Sequence, residues 1–121
     1  MTTAPPGWPA DVPPPDAPGW VERASGWLFD QVPADLRAHD VLRRHPLLLA
    51  YVAVGQVDAA AAAVRTAIAS VRADLRDRLE PATLTEAIEA LQLEQARLAS
   101  TQRAVRLVAD ALAGLRHRPR L

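Results

Sequence analysis

From residue 46 onward, apolar side chains recur with helical spacing. Ala50, Val54, Val57, Ala61, Val64, Ile68, Val71 and Leu75 are separated by alternating steps of four and three. That rhythm is a heptad seam, and it predicts one helix over 46–79, about 50 Å long at 1.5 Å per residue. Glu80-Pro81-Ala82 breaks the pattern. Thr83 and Glu86 then stand at the spacing of a capping box, so a second long helix is expected over 83–113, with Gly114 as its stop. Its seam reads Leu84, Ile88 or Ala87, Leu91, Leu98, Val105, Val108 and Leu112.

Upstream, Trp20, Ala24, Trp27, Leu28 and Gln31 predict a shorter helix over 20–32. Asp16 is its expected cap, Pro18 lies in its first turn and Pro33 ends it. A helical turn over 41–45 with Asp40 as cap follows, and Pro46 either kinks it or opens the next helix. No stretch alternates with the period of a strand.

A three-residue break between long helices forces an antiparallel hairpin. Facing residue numbers then sum to about 162, which sets Leu75 on Ala87, Val71 on Leu91, Val64 on Leu98, Val57 on Val105 and Val54 on Val108. The same register puts Arg76 opposite Glu86, Arg72 near Glu89 and Asp58 near Arg103. Ala59 to Ala63 lie opposite Ser100, Thr101 and Gln102, a layer of small and polar groups. Leu47, Leu48, Leu49, Tyr51, Val52, Leu79, Leu93 and Leu107 fall off the main seam. A short third helix cannot cover them all. The expected architecture is therefore all-α: a Pro-rich arm at 1–19, a helical domain at 20–115 and a basic tail at 116–121, with dimerisation completing a four-helix bundle.

Seven of the eleven prolines lie in residues 1–19, so neither helix nor central strand is expected there, only polyproline II or coil. Two Pro-Gly-Trp copies, at 6–8 and 18–20, mark this arm as more than a linker. A Trp at position 8 is expected to dock, on its own domain or on another molecule.

Composition narrows the chemistry. The 121 residues hold 14 basic and 14 acidic side chains, with no Cys, Lys or Asn. A disulfide scaffold, a thiolate zinc site, a cysteine nucleophile and a Schiff-base lysine are excluded. Zero net charge argues against nonspecific coating of nucleic acid. Ser25, Ser70 and Ser100 lack a glycine elbow, and the five glycines form no phosphate cradle. His39 and His45, with Asp35, stand at no recognised ligand spacing. Neither an enzyme nor a cofactor or metal site is expected. Residues 1–6 carry no signal-like apolar run, and the longest strictly apolar stretch, Leu47–Val54, is eight residues against about 20 for a membrane span. A cytoplasmic location is the expectation.

Two uses remain. The first is a protein-interaction or scaffold module, with the chain itself and a second protein as partners, and with Trp8, Trp20, Gln95 and Gln102 as contact residues. A polar Gln near a helical seam favours a particular register or partner. The alternative is a nucleic-acid-associated regulator that meets phosphates through Arg37, Arg43 and Arg44, helped by Arg116, Arg118 and Arg120 of the tail. The motifs Pro6-Gly7-Trp8-Pro9, Pro18-Gly19-Trp20 and Val41-Leu42-Arg43-Arg44-His45-Pro46 also make the chain resemble small Ala- and Arg-rich helical proteins of actinobacteria. That resemblance implies no activity.

Overall fold

The computed structural model describes residues 3–114. It is all-helical in the order α1 (Trp20–Phe29), a 3-10 turn (Ala34–Ala38), α2 (Asp40–Arg44), α3 (Pro46–Leu75) and α4 (Pro81–Leu112). The basic tail at 116–121 lies outside the described residues. Helices α3 and α4 form the expected antiparallel hairpin, and α1 packs chiefly on α3.

The long helices begin with proline. Pro46 and Pro81 each occupy the first helical turn, where the missing N–H is no loss and the fixed φ is already helical. For α4 this overturns the capping box. The cap position is Glu80, its carbonyl accepts from the Leu84 amide at 3.1 Å, and Thr83 lies inside the helix. The connection is correspondingly longer. Helix α3 stops at Leu75 rather than 79, and the Arg78 and Leu79 amides both return to the Leu75 carbonyl. At the far end Gly114, with φ of 80°, terminates α4 as expected.

Helix α1 is also shorter than its pattern suggested, ending at Phe29. A proline ring clashes with the carbonyl four residues back, and Pro33 places that conflict at Phe29. Gln31 and Val32 leave by turns closed on Leu28 and Phe29. The N-cap of α1 is Gly19, at φ of 74°, rather than Asp16. Helix α2 starts at Asp40, one residue early, and Asp40 binds Arg44 at 2.7 Å within it.

The arm is a chain of tight turns and not a polyproline rod. The Trp8 amide closes on the Pro5 carbonyl at 3.0 Å, the Ala17 amide on Pro14 at 3.0 Å and the Trp20 amide on Ala17 at 3.1 Å. Each turn has proline second and a positive φ third, at Gly7, Asp16 and Gly19, the requirement of a type II turn. The turns fold the arm onto α4, where Leu107 Cδ1 lies 3.4 Å from the space a Gly7 Cβ would fill.

Burial is concentrated at one end of the hairpin. Ala24 and Leu28 of α1, Leu49, Ala50, Ala53, Val57 and Ala61 of α3, and Leu98, Val105 and Val108 of α4 share one cluster with Val12 of the arm, Phe29 and Leu42. Towards the connection the second layer ends. Between Ala61 and Leu98 only Leu84 is buried among the described residues.

Candidate interaction surface

The two tryptophans proposed for contact meet inside the protein. Trp8 and Trp20 are half-buried, with ring centroids 6.2 Å apart and planes inclined at 53°. The Trp8 indole N–H donates to the Val12 carbonyl at 3.0 Å, so its polar edge is satisfied. Both rings pack on the core. Trp8 thus docks on its own domain.

Gln102 is half-buried and belongs to the hairpin. Its amide nitrogen donates to Asp58 Oδ1 at 2.9 Å, and Arg106 Nη2 reaches Asp58 Oδ2 at 2.6 Å. The register had assigned Asp58 to Arg103. Residues 102 and 106 bracket the facing position on one helical face, whereas Arg103 turns away and is exposed. The Gln102 hydrogen bond holds the Asp58 carboxyl below its ordinary range; desolvation opposes it, and the charge and hydrogen bond of Arg106 add to the lowering. Gln95 is exposed beside the Glu94–Arg97 ion pair, in which Arg97 Nε lies 2.9 Å from Glu94 Oε2. That pairing lowers the Glu94 carboxyl and raises the Arg97 guanidinium. The other expected cross-hairpin ion pairs do not form. Arg76 lies beyond the end of α3, and Arg72 reaches the Thr85 hydroxyl at 3.3 Å instead of Glu89.

The arginines of the alternative reading are spent locally. Arg37 binds Asp30 at 2.6 Å and sits 5.7 Å over the Phe29 ring, Arg43 donates to the Arg37 carbonyl at 2.9 Å, and Arg44 holds Asp40. Arg37 and Arg43 tie the 3-10 turn to the end of α1 and to α2, and the Arg44 pair lies within α2. Asp35, His39 and His45 are exposed, and among the described residues no three His, Asp or Glu side chains gather as a metal site. The hydroxyls of Ser25 and Ser70 donate to carbonyls four residues back, at 2.9 Å each.

What remains open is apolar. Val41, Leu47, Leu48, Tyr51, Leu75, Leu79 and Leu93 are exposed, Tyr51 at 78%. Of the residues placed off the main seam, Leu49 is fully buried, and Val52 and Leu107 are half-buried. Helix α3 is by length and composition apolar enough to cross a membrane: an 18-residue stretch has a mean hydropathy of 1.8, and 28% of it is buried. Sequence reading did not isolate the open face of α3. The signal was present as a second apolar and small-residue rhythm, two positions behind the first. Compared with family models, with curated proteins and with solved structures, the chain matches none.

Proposed function

We propose that this chain is a non-enzymatic helix-pairing module that works by self-association. The observation that carries the reading is the mismatch between hydropathy and burial in α3. A core helix of a soluble protein hides its apolar residues. Here only 28% of the most apolar stretch is buried, although it lies at the end of the hairpin that the arm, α1 and α2 cover. A second layer of helices would bury what the single chain leaves open. Docking of Trp8 and Trp20 on their own core supports a helical face, rather than the arm, as the contact surface.

Light scattering on the purified chain over a micromolar range tests this. A mass near twice 13.1 kDa is expected. A single-chain mass at high concentration defeats the reading. The nucleic-acid alternative has less support, because Arg37, Arg43 and Arg44 are engaged with Asp30, the Arg37 carbonyl and Asp40.

A further inference from the structure

We infer that the contact surface is the outer face of α3, and that its occupant is a second copy of α3 running antiparallel about a two-fold axis between Ala60 and Ala61. The inference rests on the self-association reading and specifies its geometry.

The face is defined by a rhythm. Leu48, Val52, Gly55, Ala59, Ala62, Thr66, Ala69 and Ala73 follow each other by four and three residues. Each stands two positions before a member of the seam that meets α4. Two residues are about 200° of helix, so the two seams lie on well-separated sides, although at the connection end Ala69 and Ala73 border a cleft with Pro81 and Leu84 of α4. All of this second seam is exposed except Val52, which is half-buried. It runs for about 39 Å and contains no charge. A solvated helix face normally carries charged side chains.

The seam fits a copy of itself. In an antiparallel pair, layers form between alternate heptad positions. Ala59 then faces Ala62 of the second copy, Gly55 faces Thr66, Val52 faces Ala69 and Leu48 faces Ala73. Every large side chain meets a small one. Gly55 is otherwise unexplained. A Cβ built there meets nothing within 4 Å in its own chain, and glycine weakens a helix interior. Close approach of another helix supplies a reason.

Charge chooses the orientation. One flank of this seam carries, at seven-residue intervals, Tyr51, Asp58, Arg65 and Arg72. Antiparallel pairing brings like flanks together, and with this axis Asp58 lies beside Arg65 of the copy and Tyr51 beside Arg72, which in its own chain reaches the Thr85 hydroxyl at 3.3 Å. The first is an ion pair and the second a cation–π contact, and two-fold symmetry makes each twice. Asp58 keeps 38% of its side-chain surface exposed while bound to Arg106, so it can accept a second guanidinium. A parallel pair sets this flank against Gln56, Ala63 and Ser70, which offer no opposite charge.

Two sets of variants test the arrangement in the full chain. Ala62→Arg buries an unpaired charge at the centre of the interface and leaves the exposed site harmless in the single chain. It is expected to weaken dimerisation at least 100-fold with an unchanged circular dichroism spectrum. Leu93→Arg, on the outer face of α4, should leave dimerisation as it was. For orientation, Gly55→Cys and Thr66→Cys are mixed and oxidised; the parent has no cysteine. The mixed 55–66 disulfide should exceed either self-disulfide. A parent dimer that survives Ala62→Arg, or that links position 55 to itself, overturns this face or orientation while self-association stands. A parent that is monomeric removes both. A monomer that floats with phosphatidylcholine vesicles, and loses flotation on Ala62→Arg, assigns the face to lipid and overturns the second copy as occupant.

Discussion

Trp8 shows how one side chain gives a proline-rich arm a fixed place. Its indole joins Trp20 and the core, and its N–H finds the Val12 carbonyl. Truncating a large buried aromatic costs about 3–5 kcal/mol, and half-burial scales that down. Trp8→Ala is expected to destabilise the fold by about 2 kcal/mol, read as a lower urea midpoint with an unchanged slope. Asp58 supplies the second residue-level test. Its carboxyl is held below the ordinary range by Gln102, then Arg106. A depressed pKa stabilises the folded state above the unfolded value of about 3.9, and that contribution disappears as pH falls through the lower folded value. Asp58→Asn should therefore flatten the loss of stability with acidification below about pH 4. Denaturation curves between pH 2 and 7 measure the difference, and an unchanged acid limb would contradict it. Both residues stand out in the sequence, but their partners do not. Val12, the acceptor for Trp8 and itself buried, stands alone among prolines, where no periodicity marks an inward side.

At the scale of elements, helix ends follow proline chemistry more than side-chain capping. Pro81 opens α4 and makes Thr83 an interior residue. A true capping threonine costs about 1 kcal/mol when replaced by alanine. Here Thr83→Ala is expected to change stability by less than about 0.5 kcal/mol, since alanine is also the better helix former. Glu80, at the cap without a side-chain hydrogen bond, is the position to improve. Glu80→Ser should stabilise the chain by about 0.5–1 kcal/mol. Thermal melts of the two variants decide between Thr83 and Glu80 as the start of the helix. The Thr-x-x-Glu spacing misled because it satisfies a local template that Pro81 had already pre-empted. Pro33 acts likewise at the end of α1, where its ring conflicts with the Phe29 carbonyl and removes a turn the apolar pattern had included.

Across the whole molecule, the hairpin is unevenly supported. One end is covered by α1, α2 and the arm, and the connection end has two helices with Leu84 as its buried anchor. Local opening is easiest where few apolar contacts hold the backbone. In dilute solution, amides of residues 64–75 and 84–96 are expected to exchange hydrogen at least tenfold faster than those of residues 49–61 and 98–108. Uniform protection would show that the connection end has support a single chain does not supply. If α3 pairs with a second α3, raising the concentration should slow exchange in residues 64–75 more than in 84–96.

Much of this architecture was legible in the chain itself. A four-three rhythm in two segments, a break between them and prolines at their edges determine two long helices and their antiparallel pairing, because helix period and chain connectivity are local properties. The Asp58 contacts with Gln102 and Arg106 fall on either side of the residue that register assigns to Asp58. Only the tertiary structure decided what the rest of the chain does. It folded the arm by successive tight turns onto α4, buried Val12 and Leu49, and turned Gln102 inward to Asp58. It also decided which of the two rhythms in α3 meets α4 and which stays open. Periodicity states that a face is apolar, but not which neighbour covers it; that depends on where α1, α2 and the arm come to rest, through contacts between residues far apart in sequence.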